Sequence, residues 1–185
     1  RSDLDDATFY YSNSVSGRDN YALNDLTYPK DAFPTETVEK YRAAAEKLAQ
    51  DGFDVLINCA SSVEKAEAVA EKCRAHGVNA YVKKWDVADY DACSTALKEI
   101  KEEIGVPFVL VNNAGITADK LLMRMTESDF DNVLFTNLKG TFFCTKAASR
   151  LMMRQRYGRI INISSVVGLH GNAGQANYAA SKAGL

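Results

Sequence analysis

Residues 53–87, FDVLINCASSVEKAEAVAEKCRAHGVNAYVKKWDV, decide the fold. Two short β-rich runs flank a segment whose apolar residues recur at helical spacing, which predicts a strand, a helix and a second strand. These three elements are 53–58, 61–77 and 79–87. A serine followed three residues later by a glutamate, at Ser61 and Glu64, predicts a capping box at the start of the helix. A strand–helix–strand unit predicts two parallel strands joined by a crossover helix.

The same alternation continues along the rest of the chain. Further strands are predicted at 107–115 and 159–165, and further helices at 88–105, from 127 to about 156, and from 177 onward. Thr126 and Asp129 form a second capping-box pattern before the long helix. Strands that alternate with helices predict a doubly wound parallel α/β sheet of the Rossmann type, with helices on both faces.

Residues 1–40 differ from this pattern. They are polar, carry scattered aromatic residues and show no sustained periodicity. One run, ATFYY (7–11), has the composition of a strand, and the loop-like SNSVSGRDN follows it. We therefore divide the chain into an atypical N-terminal segment of unknown origin, 1–40, and a second part, 41–185, that carries the α/β alternation.

Composition and charge exclude several classes of function. The 185 residues are 46% hydrophobic and 25% charged, as in ordinary globular proteins. A net charge of −2 gives no electrostatic reason to expect nucleic acid or an anionic membrane as partner. The four cysteines show no metal-type or redox-type spacing, and no apolar run approaches the roughly 18 residues of a membrane-spanning helix. We expect a cytoplasmic protein that binds no nucleic acid, no membrane and no metal.

The strongest chemical signal comes from Tyr178, Lys182 and Ser165. The tyrosine and the lysine lie four residues apart at the start of a predicted helix, so their side chains share one face. The pKa of a phenol is about 10. A neighbouring ammonium lowers that pKa and makes the phenol a usable acid and base. The same spacing also occurs on ordinary exposed helices. Ser165 ends a predicted strand, where it could donate to a substrate carbonyl or simply cap a turn.

Four motifs in order carry a more specific resemblance. They are VNNAG (111–115), TNLKG (136–140), GRIINISS (158–165) and NYAASKAG (177–184). This ordered set resembles the signature of the short-chain dehydrogenase/reductase family. Within that family, residues 116–185 are similar to the 3-oxoacyl-(acyl-carrier-protein) reductases of bacterial fatty-acid synthesis. The resemblance extends from about Tyr41 to Leu185, so it implies that 41–185 are part of a dinucleotide-binding and catalytic domain.

The resemblance implies a catalytic role for four residues. Tyr178 would be the proton donor, Ser165 would orient the substrate carbonyl, and Lys182 would lower the tyrosine pKa and contact the nicotinamide ribose. Asn137 would hold a water in the family's proton relay. Taken from its sequence position alone, a mid-helix asparagine is unremarkable. All four members of the family's tetrad are therefore present in this chain.

The resemblance also implies where a cofactor lies. The implied cofactor-binding residues are Ser61, Asp86, Val87, Asn113, Ala114, Gly115, Tyr178 and Lys182. Residues 113–115 match the turn along the cofactor, where small residues permit close backbone approach. Asp86 and Val87 match the pair that holds the adenine. The stretch NCASS (58–62) has no acid to bond the ribose of NAD and repel a 2′-phosphate, which, with Ser61, favours NADP (NADPH).

Two function hypotheses follow. The first is NADPH-dependent reduction of a 3-oxoacyl-(acyl-carrier-protein) thioester to the 3-hydroxyacyl form, in fatty-acid biosynthesis. A homodimer or homotetramer is expected, because apolar residues lie on more than one face of the long helix. Those residues are Val133, Leu134, Leu138, Phe142 and Phe143. The second hypothesis is a non-catalytic fragment or pseudoenzyme of the same family.

The second hypothesis rests on departures at the two ends. The family opens with a strand and a Thr-Gly-x-x-x-Gly-x-Gly turn that approaches the pyrophosphate. Without gaps, those positions are PTETVEKY (34–41), which has no glycine, carries two glutamates and predicts weak or absent cofactor binding. A gapped alternative places SNSVSGRD (12–19) after ATFYY and keeps Gly17. The family also continues through two further strands, so we expect a sheet incomplete at both ends. Either ATFYY fills its central slot, or the chain is an incomplete or rearranged version of the enzyme.

Overall fold

Five parallel strands form one sheet in this computed structural model, which describes residues 8–12 and 44–185. In chain order the strands are β1 (Thr8–Ser12), β2 (Asp54–Cys59), β3 (Ala80–Lys84), β4 (Val109–Asn112) and β5 (Arg159–Asn162). Their spatial order is β3-β2-β1-β4-β5, and each neighbouring pair is parallel. The predicted parallel sheet is confirmed, and each strand predicted after residue 50 lies in it.

The first strand occupies the centre of the sheet. Tyr10 is in register with Leu56 of β2 on one side and with Leu110 of β4 on the other. The ATFYY run therefore fills the central slot, one residue later than predicted. Without it, each buried backbone group left unpaired would cost about 1–3 kcal/mol. Both alignments of the phosphate turn, SNSVSGRD beyond Ser12 and PTETVEKY, lie outside the described residues.

Helices connect the strands on both faces of the sheet. They are α1 (residues 44–50), α2 (Val63–Arg74), α3 (Tyr90–Glu103), α4 (Glu127–Leu134), α5 (Gly140–Gln155), the short α6 (Val167–His170) and α7 (Ala176–Gly184). A π-helical turn, Phe135–Lys139, joins α4 to α5 without a break, which confirms the predicted long helix. Within the described part of the chain, none of these helices combines the length and the apolar character needed to cross a bilayer.

The core has two layers, one on each face of the sheet. Along β2, Val55 and Ile57 pack with α1 and α2, whereas Leu56 between them packs with α3 and α5. The side chains of β4 divide in the same way, with Leu110 on the α3 and α5 side. Strands buried on both faces carry continuous apolar runs because successive side chains alternate between faces. The doubly wound architecture predicted from the sequence is thereby confirmed.

One of the two predicted capping boxes forms and the other does not. The Thr126 side chain accepts from the Asp129 N–H, and the Asp129 carboxylate accepts from the Thr126 N–H. The predicted box at Ser61 and Glu64 is wrong, because α2 begins one residue later, with Ser62 as its N-cap and no side-chain capping bond. The Val63 N–H donates to the Ser61 carbonyl at 3.1 Å, so a tight turn precedes the helix and moves Glu64 out of the required position.

Candidate active site

The candidate site lies at the carboxyl edge of the sheet, beside the central strand. Gly115 follows β4, Ser165 follows β5, and α7 presents Tyr178 and Lys182 to the same region. The strand order continues outward from β1 in both directions, towards β2 and β3 on one side and β4 and β5 on the other. Ligands of open α/β sheets bind at such a switch point, outside the carboxyl ends of the strands.

Asn137 is at the centre of a buried hydrogen-bonded cluster. It lies in the π-helical turn and is fully buried. Its Oδ1 accepts from the Ile116 N–H at 2.7 Å, and its Nδ2 donates to the Ile116 carbonyl and to Ser181 Oγ, each at 3.0 Å. The side chain therefore ties the long helix to the loop after β4 and to α7. A π-helical turn is itself a common mark of a functional position.

Lys182 is buried beside the tyrosine and the glycine turn. Only 5% of the residue is exposed, and its Nζ donates to the Ile163 carbonyl at 2.8 Å. The same Nζ lies 5.7 Å from the centroid of the Tyr178 ring. Burial lowers the pKa of the Lys182 ammonium, because removal from water disfavours its charged form. The structure thus brings the predicted Tyr178 and Lys182 pair together on one face of α7.

Gly115 lies close to the side chains of Asn137 and Lys182. A Cβ atom placed on Gly115 would lie 3.3 Å from Asn137 Oδ1 and 3.6 Å from Lys182 Nζ. The contact to Asn137 is tighter than most real Cβ contacts, so a side chain here would crowd the cluster. Ala114 before it is buried. The predicted turn 113–115 and two members of the predicted tetrad therefore meet at one place.

Ser165 lies after β5, two residues before the short helix α6. Its Oγ accepts from the Val167 N–H at 3.2 Å, so the hydroxyl also caps the start of that helix. Ser164, next to it, donates from Oγ to the Lys182 carbonyl at 2.7 Å. A Cβ on Gly168 of α6 would lie 2.7 Å from the Lys182 carbonyl carbon, so only glycine permits this close packing of α6 on α7. The Ser165 hydroxyl can therefore accept this bond at the start of α6 and still donate its own proton to a substrate carbonyl.

The remaining predicted residues lie on the other side of β1. Ser61 follows β2 and is exposed. Asp86 follows β3, is exposed and accepts from the Ala88 N–H at 2.9 Å. Val87 is buried, and a Cβ on Gly140 would lie 2.9 Å from its Cγ2, so the valine side chain packs against the start of α5.

Two buried polar residues of the site were not predicted from the sequence. Asn177 and Ser181 are both fully buried. Ser181 Oγ donates to the Tyr178 carbonyl at 2.8 Å and accepts from Asn137, and Asn177 contacts the loop after β4 and α4. Their positions beside Tyr178 and Lys182 were the available signal. No group of three or more metal-binding side chains occurs among residues 8–12 and 44–185.

Comparisons with known proteins agree with this architecture. The family described as short chain dehydrogenase matches residues 42–185. A 3-oxoacyl-(acyl-carrier-protein) reductase of Staphylococcus aureus is 53% identical over 144 residues, which cover 78% of this chain and 58% of that protein. The corresponding reductase of Synechocystis sp. is 46% identical over the same length, 78% of this chain and 58% of that protein. The chain thus spans somewhat over half the length of these relatives.

A solved structure extends the comparison to the N-terminal strand. The crystal structure of a xylitol dehydrogenase bound to NAD⁺ superposes with a TM-score of 0.77 and 26% identity. The match covers 97% of this chain and 61% of that chain. Because the match covers nearly the whole chain, it is consistent with the placement of β1 in the sheet. From its family match, its relatives and its fold, the chain belongs to the short-chain dehydrogenase family.

Proposed function

We propose that the protein containing this chain catalyses the NADPH-dependent reduction of a 3-oxoacyl-(acyl-carrier-protein) thioester to its 3-hydroxyacyl form. The observation that carries the proposal is the convergence of Asn137, Tyr178, Lys182 and the Gly115 turn at the carboxyl edge of the sheet. The similarity to two bacterial reductases of that substrate class supports it. The intact tetrad argues against a non-catalytic relative.

The proton chemistry follows from Tyr178 and Lys182. The phenol donates its proton to the substrate carbonyl oxygen as negative charge develops there. The buried Lys182 ammonium, 5.7 Å from the ring centroid, stabilises the phenolate that remains. Ser165 Oγ accepts from the Val167 N–H, and a hydroxyl that accepts one bond can still donate its proton, in this case to the substrate carbonyl. Asn137 fixes the position of the π-helical turn and, in this proposal, of the proton-relay water.

The residues around Gly115 fit a nicotinamide cofactor. Gly115 has no side chain at the point where Asn137 and Lys182 meet, so the backbone can lie close to a flat ring and its ribose. The cofactor, when bound, supplies the hydride. Asn113, Ala114, Gly115, Tyr178 and Lys182 would hold its nicotinamide half. Ser61, Asp86 and Val87 would hold its adenosine half.

The preference for NADPH rests on residues 58–62. This segment after β2 carries no acid that would repel a 2′-phosphate, and the exposed Ser61 can donate to it. The related xylitol dehydrogenase was solved with NAD⁺, so the fold alone gives no reason to prefer NADPH. We propose NADPH because of the side chains at 58–62 and not because of the fold.

The finer features of the proposal concern the whole protein. We propose that residues 41–185 belong to its dinucleotide-binding and catalytic domain, which takes β1 into its sheet from the 1–40 segment. Exposed aromatic residues on the long helix, Phe130, Phe135 and Phe142, support a homodimer or homotetramer. An acyl-carrier protein as substrate carrier, a role in fatty-acid biosynthesis and a cytoplasmic location complete the proposal.

A cofactor titration and a turnover assay test the proposal. NADPH fluorescence is titrated with the protein, and oxidation of NADPH is followed with a 3-oxoacyl-(acyl-carrier-protein) and, separately, with xylulose. Turnover of the thioester with NADPH in preference to NADH supports the assignment. Turnover of xylulose but not of the thioester would mean that the substrate is a sugar and not an acyl thioester. Binding without turnover of either substrate would favour a non-catalytic relative.

The same titration decides between the two alignments of the phosphate turn. If SNSVSGRD binds the pyrophosphate, replacing Gly17 by Val should weaken NADPH binding by about tenfold or more, because a side chain would keep the backbone away from the pyrophosphate. If PTETVEKY takes that place, Gly17→Val leaves the affinity unchanged. Removing its negative charges with Glu36→Gln and Glu39→Gln should instead strengthen NADPH binding.

A further inference from the structure

The side-chain amide of Asn177 is fully hydrogen-bonded, although the proposed reaction gives this residue no role. It is fully buried at the start of α7. Its Nδ2 donates to the Ala118 carbonyl and to the Asp129 carbonyl, each at 3.0 Å. Its Oδ1 accepts from the Tyr178 N–H at 2.8 Å. Both donors of the amide and its oxygen are therefore engaged, each with backbone of a different segment.

These bonds join three segments that border the candidate site. Ala118 belongs to the loop that begins at the Gly115 turn, Asp129 belongs to the first turn of α4, and Tyr178 is the candidate acid. Neighbouring contacts join the same segments: Gln175 Nε2 donates to Asp119 Oδ2 at 2.8 Å, and the Lys120 N–H donates to the Gly174 carbonyl at 2.9 Å. Asn177 is the buried member of this set.

Asn177 also completes the start of α7. The N-cap residue of this helix, Gln175, makes no side-chain capping bond. The first N–H groups of a helix have no partner within the helix, and a side-chain oxygen usually satisfies one of them. Here the Asn177 Oδ1 satisfies the N–H of Tyr178 itself. The backbone of the candidate acid is thus held by the side chain that also holds the loop after Gly115.

We propose that Asn177 is a positioning residue that sets the distance between the Tyr178 phenol and the Gly115 turn. This inference rests on the proposed reductase function, in which the phenol must reach the carbonyl of a substrate held next to the nicotinamide. A displacement of about 1 Å in such a constellation can lower the rate by about a hundredfold. Asn177 touches neither substrate nor cofactor in this arrangement and acts only through Tyr178.

Two substitutions at Asn177 separate its bonds. Asn177→Ala removes all three bonds. Asn177→Asp retains an oxygen for the Tyr178 N–H but places a carboxylate against the Ala118 and Asp129 carbonyls. Ile100→Val and Ile100→Ala are the matched controls, because Ile100 is fully buried in the core layer between α3 and α5 and takes no part in the hydrogen bonds of Asn177, and the two changes give graded losses of stability.

The kinetic expectation is a separation of kcat from KM. In both Asn177 variants kcat should fall by about tenfold or more, with KM values for NADPH and for the thioester within about threefold of the parent. The Ile100 variants should lower Tm while kcat stays within about twofold. If Asn177→Ala and Asn177→Asp keep the parental kcat at a temperature where both are folded, the proposal is overturned.

Hydrogen–deuterium exchange provides a readout that needs no activity. Asn177→Ala should speed exchange in the first turn of α7 and in residues 116–120, whereas Asn177→Asp should speed it in the loop and leave the first turn protected. If the parent protein turns over no substrate, the proposed function fails, and these exchange patterns alone then decide the placement by Asn177. Unchanged exchange at both segments in Asn177→Ala would overturn it.

Discussion

The two sides of the candidate site at the carboxyl edge of the sheet are built in different ways. Beyond β4 and β5, the polar residues Asn137, Asn177, Ser181 and Lys182 are buried and hydrogen-bonded to one another or to backbone. Beyond β2 and β3, the polar candidates Ser61 and Asp86 are exposed. We call the first group the buried cluster and the second pair the exposed rim.

This difference shows which properties of the site depend on the fold. A buried polar group left without its partner loses about 1–3 kcal/mol, so residues of the buried cluster contribute to stability as well as to chemistry. An exposed side chain can be replaced at little structural cost. We therefore expect changes in the buried cluster to alter turnover or stability, and changes at the exposed rim to alter nucleotide binding with little effect on stability.

The largest effect is expected at Tyr178. Tyr178→Phe removes the proposed acid and keeps the ring, so kcat should fall by about 10²–10⁴-fold with little change in NADPH affinity. Tyr157→Phe is the matched control, because the Tyr157 and Phe108 ring centroids lie 4.4 Å apart before the amino ends of β5 and β4, at the opposite edge of the sheet, and it should leave kcat unchanged. Stopped-flow measurement of NADPH oxidation gives the comparison. Full turnover by Tyr178→Phe would refute its role as acid.

Ser181 tests whether the buried cluster contributes to stability. Ser181→Ala removes a bond to the Tyr178 carbonyl and the partner of Asn137 Nδ2, and should lower the free energy of unfolding by about 1–3 kcal/mol. Ser149 makes the same local bond, to the carbonyl three residues earlier, on an exposed part of α5. Ser149→Ala should cost clearly less in urea unfolding. Equal losses would mean that the connection to Asn137 contributes nothing.

Ser61 tests whether the exposed rim selects the nucleotide. Ser61→Asp places a negative charge where the 2′-phosphate is proposed to bind, so NADPH affinity should fall by about tenfold or more while NADH affinity holds or rises. Ser128→Asp adds the same charge at an exposed position on α4 and controls for net charge. Fluorescence titration with both nucleotides measures the ratio. Equal weakening in the two variants would remove Ser61 from the proposed site.

The smallest effect is expected at Asp129, which lies outside both groups. Hydrogen bonds from Lys120 and Thr126 lower the pKa of this carboxyl to about 2. Asp129→Asn weakens the capping box and the Lys120 pair, so it should cost about 0.5–2 kcal/mol at neutral pH. Asp131→Asn, an exposed acid on the same helix, controls for lost charge.

The pH dependence gives Asp129 a second test. Its folded pKa is lower than its ordinary value of 3.8, so the stabilisation by the carboxylate is complete above about 4 and is lost as the pH falls towards about 2. The difference in stability between the parent and Asp129→Asn should therefore shrink across that window. A difference that stays constant in urea unfolding from pH 7 to pH 3 and below would contradict this origin.

Strand and helix positions could be predicted because their signals are local. Each strand predicted after residue 50 lies in the sheet, and the long helix runs to Gln155 as expected. The failure at Ser61 is also instructive. A capping-box pattern depends on the residue at which the helix begins, and a tight turn through Ser61 and Val63 moved that start by one position. Both patterns place an acid three residues after a hydroxyl residue, yet only the box at Thr126 forms.

The sequence by itself determined the alternation of elements, the family resemblance and the face shared by Tyr178 and Lys182, because periodicity and spacing are properties of neighbouring residues. Only the tertiary structure decided that β1 takes the central slot, since pairing joins residues more than 40 positions apart. It also decided that Asn137, Asn177 and Ser181 are buried partners. The type of a polar residue does not reveal whether it is exposed or buried, because its burial depends on segments that come together only when the chain folds.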